Sequence, residues 1–105
     1  MISVALFLFF KYIDRLDKMK NRSRLEIISM ILETVGDSGA IQAKIMYKVY
    51  LSFLQMKEYL SETMRHELIV YDERAQIYKI TDKGRRFLAL YKQMTESISM
   101  TKPVL

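Results

Sequence analysis

Leu51-Ser52-Phe53-Leu54-Gln55-Met56-Lys57-Glu58-Tyr59-Leu60-Ser61-Glu62-Thr63-Met64-Arg65-His66-Glu67-Leu68-Ile69 is the stretch on which the reading of this chain turns. Ser52 is a good helix N-cap, because its hydroxyl accepts from an amide that the first turn leaves without a partner. Met56, Tyr59, Leu60, Thr63 and Met64 then recur at helical spacing and share one face. Leu54, Gln55, Lys57, Glu58, Ser61 and Glu62 make up the other. A helix over 52–66 is predicted, apolar on its inner side and close to neutral on its outer side.

Upstream, Ser23-Arg24-Leu25-Glu26 reads as a capping box, with Ser at the cap and Glu three residues on. Ile27, Ile28, Ile31, Leu32 and Val35 follow at helical spacing, and Gly36 ends the run. Helix one is therefore expected from Arg24 to Val35. Asp37-Ser38-Gly39 is a turn. Helix two is expected from Ala40 to about Val49, with Ile41, Ile45, Met46 and Val49 inward and Lys44, Tyr47 and Lys48 pointing elsewhere. Tyr50-Leu51 is then a tight link to helix three, the spacing of a helix-turn-helix.

Downstream, Leu68-Ile69-Val70-Tyr71 and Gln76-Ile77-Tyr78-Lys79-Ile80 are rich in strand-forming residues, separated by Asp72-Glu73-Arg74-Ala75. They predict a hairpin over 69–80 with a charged tip. Two strands alone are marginal, so this one must pack on the helices. Thr81 caps a last helix, Asp82 to about Ile98, with an apolar stripe of Phe87, Leu88, Tyr91, Met94 and Ile98. The fold class is α+β, mainly α: a winged helix-turn-helix with a three-helix core, a two-stranded wing and an extra C-terminal helix. The winged helix domain is placed at 21–98, with an apolar, helical N-terminal extension at 1–20 and a flexible tail at 99–105.

The 105 residues suffice for one small domain with a modest core. The chain has no Cys and one His, which excludes disulfides, thiolate metal sites and multi-His metal sites. Three Gly and one Pro leave no glycine-rich phosphate loop. No catalytic set can be assembled around His66 alone, so neither an enzyme nor a cofactor is expected. A net charge of +5 suits an anionic partner, and a plain basic domain fits it equally.

Met1 to Phe10 is almost wholly apolar, yet shorter than the roughly 20 residues a bilayer span needs. It also lacks the basic start and small-residue cleavage site of a secretory signal. It reads either as a helical extension packed on a partner subunit or as a segment outside the natural protein, with Met19-Lys20-Asn21 as an alternative start. Contact with a membrane is not expected, and the protein is placed in the cytoplasm. Lys18, Lys20, Arg22 and Arg24 form a basic cluster, read as a solvated helix entrance rather than a phosphate clamp.

The runs Ile45-Met46-Tyr47-Lys48, Leu51 to Leu60 and Tyr78-Lys79-Ile80-Thr81-Asp82-Lys83-Gly84-Arg85-Arg86-Phe87-Leu88 resemble archaeal winged helix-turn-helix regulators of the small ArnR-like type. These are related to archaeal chromatin-associated proteins that dimerise through a C-terminal coiled coil. The resemblance covers about Asn21 to Met94. It implies a DNA-binding fold, a dimer and a role in transcription or chromatin. The chain departs from the pattern at Glu67, where such proteins carry Gly, and its last helix is short for a coiled coil.

On this reading helix three enters the major groove of double-stranded DNA. Leu54, Gln55 and Glu58 are the candidate base readers; a Gln pairs with adenine, and a carboxylate accepts from cytosine. Lys44, Lys48, Lys57 and Arg74 are the candidate phosphate contacts, with Arg74 at the wing tip. Ser52 caps the helix, and the amides beside it can hold a phosphate. Phe53 is read as a staple or core residue rather than a wedge into DNA. A homodimer is expected through the N-terminal segment, helix one or the last helix. The alternative is a winged helix that binds proteins and no DNA.

Overall fold

The computed structural model describes residues 4–6, 8–9 and 22–101. Its elements run α1 (Arg24–Val35), α2 (Gln42–Val49), α3 (Phe53–Arg65), β1 (Ile69–Asp72), β2 (Ile77–Ile80) and α4 (Asp82–Thr101). Residues 4–6 and 8–9 are helical. Lys18, Lys20, most of the 1–20 extension and the last four residues of the expected tail lie outside the described residues.

The inner faces predicted by periodicity build the core. Ile31, Leu32 and Val35 from α1, Ile45 and Val49 from α2, Met56 and Thr63 from α3 and Ile69 from β1 are fully buried. Each such apolar side chain contributes about 1.5–3 kcal/mol of transfer free energy. The Thr63 hydroxyl donates to the carbonyl of Tyr59 one turn back, so its burial leaves no polar group unmet.

β1 and β2 pair antiparallel, Ile69 opposite Ile80 and Tyr71 opposite Tyr78. The hairpin gains a third, one-residue edge that the sequence did not suggest. Ala40 forms a bridge to Tyr78, with Ala40 N–H to Tyr78 O at 3.0 Å and Tyr78 N–H to Ala40 O at 2.8 Å. Tyr78 thus spends its backbone groups on Ala40, so Tyr71 and Tyr78 face each other as the closer, non-hydrogen-bonded kind of pair. Their ring centroids are 4.8 Å apart.

This bridge corrects the expected start of helix two. Ala40 belongs to the sheet, α2 begins at Gln42, and Ile41 is its extended N-cap rather than an inward residue. Gly39 makes the turn possible at φ 82°, and a Cβ there would sit 2.7 Å from Ile77 Cδ1. Arg22 also departs from its reading as part of a solvated entrance. Its guanidinium donates to the carbonyls of Val49 and, at 3.1 Å, Tyr50, clamping the C-terminal end of α2.

The end of α3 is a Schellman turn: Leu68 N–H bonds Thr63 O at 3.0 Å, and Glu67 N–H bonds Met64 O at 2.9 Å. Glu67 sits at φ 61°, the left-handed position that favours glycine, so the departure noted in the sequence is a real backbone cost. Thr81 then ties the junction together. Its N–H bonds Leu68 O at 3.0 Å, and its hydroxyl donates to Glu67 O at 2.6 Å and accepts from Gly84 N–H at 3.0 Å. Gly84 is pressed against this turn; a Cβ on it would lie 2.2 Å from Leu68 O. The last helix runs to Thr101, past the expected end at Ile98, so residues 99–101 continue the helix rather than starting a tail.

These two positions predict opposite effects. Glu67→Gly is expected to raise stability by roughly 0.5–1 kcal/mol by removing left-handed strain. Gly84→Ala is expected to lower it by about 1–3 kcal/mol through overpacking against backbone. Urea melts of the two variants beside the parent chain check both signs.

Candidate nucleic-acid interface

The outer surface of α3 follows from its buried one. Met56, Leu60 and Thr63 face the core. Opposite them, Leu54, Glu58, Ser61 and Arg65 recur at four, three and four residues and form one exposed ridge. Leu54 is 73% exposed, the furthest out of the large apolar side chains on this helix. Arg65 completes the ridge and did not figure among the expected contacts. Its spacing from Leu54 along the same face was the available signal.

The start of α3 is held by a reciprocal capping box. Gln55 N–H donates to Ser52 Oγ at 3.2 Å, and Ser52 N–H donates to Gln55 Oε1 at 3.0 Å. At α1, where the box was expected, Ser23 Oγ accepts from Glu26 N–H at 3.0 Å and the return bond from Glu26 is not made. The Ser52 box changes what Gln55 offers. A two-point pairing with adenine needs the amide oxygen as acceptor, and that oxygen already serves Ser52. Gln55 therefore presents its Nε2 donors and an oxygen shared with the cap.

Phe53 is not a core residue. It is 55% exposed, because as the first helical residue it falls on the edge of the buried face rather than in it. Lys57, one turn on, lies over its ring at 5.2 Å from the centroid. On the other flank Glu62 pairs with Arg24 of α1, whose guanidinium also sits 5.2 Å from the Tyr59 ring centroid. The flank toward α1 is thus internally neutralised.

Lys44 and Lys48 stand one turn apart on the exposed side of α2. Neither has a carboxylate partner among the described residues, and the same holds for Arg74. Other cations are engaged within the fold: Lys79 with Asp72 at 3.0 Å, Arg85 with Asp37 and Asp82 at 3.1 and 2.9 Å, Lys92 with Glu33 at 3.7 Å. The wing tip is the four-residue loop Glu73 to Gln76, folded by the Asp72 carboxylate, which accepts from the Arg74 and Ala75 amides at 3.0 and 3.2 Å. The bond from Lys79, then the Ala75 amide, holds the Asp72 carboxyl below its usual range. The wing keeps this anchor until the pH falls below that range. Arg74 is thereby carried at the tip of an ordered loop.

A cleft of about 540 Å³ separates the starts of α2 and α3 from the wing. Ile41, Met46, Phe53, Met56, Tyr71 and Gln76 are among its walls. Among the described residues no acidic, His or Cys cluster is arranged to hold a metal, and no helix is long and apolar enough to cross a membrane.

The profile of a family described as winged helix-turn-helix matches residues 21–99. The chain belongs to that family. α2 and α3 are its helix-turn-helix pair, α3 the recognition helix and the β1–β2 hairpin the wing. Among solved structures, this winged helix is similar to Sso10a-2, a DNA-binding protein from Sulfolobus solfataricus, at 15% identity and a TM-score of 0.57, covering 79% of this chain and 100% of that one. At that identity the likeness concerns the fold alone. No curated protein matches the sequence.

The Ser52 box predicts a stability readout. Ser52→Ala is expected to cost about 1 kcal/mol, and Ser52→Asp, which keeps an acceptor at the cap, to restore most of it. Thermal melts followed by circular dichroism distinguish the two.

Proposed function

We propose that this winged helix binds double-stranded DNA as a homodimeric regulator of transcription or chromatin, an archaeal-type protein of the ArnR-like kind acting in the cytoplasm and not as an enzyme. One observation carries the reading. The recognition helix holds its whole outer ridge free, while the cations nearest to it in sequence, Lys44, Lys48 and Arg74, have no carboxylate partner among the described residues. The structural neighbour's description as a DNA-binding protein supports it. Helix α3 is assigned to the major groove, with Leu54, Gln55 and Glu58 toward base edges. Lys44 and Lys48 of α2, Lys57 of α3 and Arg74 of the wing are assigned to phosphates. The amides beside Ser52 add a site for one more phosphate at the helix start.

The salt dependence of binding tests this assignment. Affinity for a short duplex, read by fluorescence anisotropy, is expected to fall steeply with salt, with a log–log slope of about −0.9 per phosphate contacted. Lys44→Glu with Lys48→Glu should weaken binding at least tenfold and flatten the slope by about two contacts. A folded parent chain that fails to bind at low salt rejects the proposal. The competing reading, a protein-binding winged helix, is favoured by one feature: α3 is close to neutral over Lys57, Glu58, Glu62 and Arg65 and carries exposed Leu54 and Phe53.

The dimer surface is assigned to α4. Its first half packs beside α1, while Leu90 and Met94, four residues apart, are each more than half exposed. A twenty-residue helix with such a stripe suits a second copy of itself better than water. Sedimentation of Met94→Glu should shift the parent's dimer toward monomer; a parent that sediments as monomer rejects this surface.

A further inference from the structure

The first two turns of α3 carry only Gln55, Lys57 and Glu58 for polar base reading. They contain no Arg and no Asn, and the first Arg of the helix is Arg65 in its last turn. Gln55 has its side-chain oxygen engaged at 3.0 Å by the Ser52 amide, so a two-point adenine contact has to share that oxygen with the cap. Lys57 lies against the Phe53 ring. Glu58 can accept from cytosine only while standing beside phosphates that repel it. Beside these polar groups the turns expose two large apolar side chains, Leu54 at the head of the ridge and Phe53 next to it.

In the major groove one base feature favours an apolar partner, the C5-methyl group of thymine. We infer that Leu54, flanked by Phe53, is a methyl reader that selects duplexes by the C5-methyl groups of pyrimidines. The inference rests on the DNA-binding assignment above and adds to it the chemical group recognised. Leu54 occupies the second position of the helix, where recognition helices approach base edges most closely. Because it is so exposed in the free protein, contact with a methyl removes apolar surface from water on both sides, with no rearrangement of the core. Phe53, with Lys57 over one face, forms a wall beside that contact. A reader of this kind distinguishes A·T-rich from G·C-rich sequence without a fixed hydrogen-bond code. It responds equally to 5-methylcytosine, which carries the same methyl on a G·C pair.

The test removes the methyl and nothing else. Parent protein is titrated with alternating A·T duplex and with its deoxyuridine counterpart, in which every thymine lacks its methyl. A second pair compares a G·C duplex with the same duplex carrying 5-methylcytosine. The expected result is a preference for the methylated member of each pair of about fourfold per methyl contacted. In Leu54→Ala the ratio should approach one, with Phe53→Ala intermediate; circular dichroism verifies that both remain folded. Salt-dependent binding with equal affinity for thymine and uracil duplexes overturns the methyl reading and leaves the DNA assignment standing. A preference that survives in the Leu54→Ala, Phe53→Ala double variant also overturns it. Absence of salt-dependent binding to every duplex overturns both.

Discussion

A single hydrogen-bonded junction at Thr81 sets the relation between recognition helix, wing and last helix. Thr81 bonds the carbonyls of Glu67 and Leu68, which end the α3 turn and lead into β1, while it closes β2 and caps α4. Gly84 lets α4 press within reach of Leu68 O, a distance at which no side chain fits. Four element ends therefore meet in one place, and the angle between α3 and the wing is not free to drift. The left-handed backbone at Glu67 is retained because these bonds over-determine it. The proposed groove-reading surface, a helix and a hairpin on one duplex, would need such a joint.

On that frame the electrostatics of α3 are divided rather than uniformly positive. Arg24 takes up Glu62 on the α1 side, Lys57 leans on Phe53 on the wing side, and Glu58 remains on the ridge between them. The helix alone gives little attraction to a polyanion. The attraction falls to cations outside it, Lys44 and Lys48 on α2 and Arg74 at the wing tip. In the proposed assignment most phosphate contacts, apart from Lys57 and the Ser52 amides, thus fall outside the helix given to the bases, the usual division between positioning and reading.

Most of this architecture was legible because its signals are local. Periodicity placed Ile31, Ile45, Met56 and Thr63 on inner faces, Gly36 stopped α1, and the β-rich runs gave the hairpin. What escaped the sequence reading depends on partners distant in the chain. Nothing around Ala40 announces that it pairs with Tyr78, since one residue of strand has no alternation to show. Arg22 looks like any cation in a basic cluster until the end of α2 is brought against it. Phe53 was read as core because large aromatics mostly are, but a residue at the first helical position can miss the buried face by a fraction of a turn. The Ser52–Gln55 box is spelled in the sequence as plainly as Ser23–Glu26, and only the former closes in both directions. The candidate site was readable as a surface, less so as chemistry: exposure held for Leu54, Lys44 and Lys48, while the commitment of Gln55 to its own cap needed coordinates.

Two exposed apolar surfaces of the chain then have a common logic. One is short and lies at the head of α3; the other is long and runs down the second half of α4. A contact made by one Leu and one Phe is too shallow to select a site by itself, because each methyl it covers changes affinity only severalfold. Specificity from shallow contacts must come from repetition. The proposed dimer through α4 would supply it by presenting two recognition helices to one duplex, so that weak preferences would multiply while the phosphate contacts of both copies would add to the salt-dependent affinity. On that proposal, weak reading on α3 and self-association on α4 would be a single device, with the Thr81 junction as the link through which one end of the molecule fixes the spacing of the other.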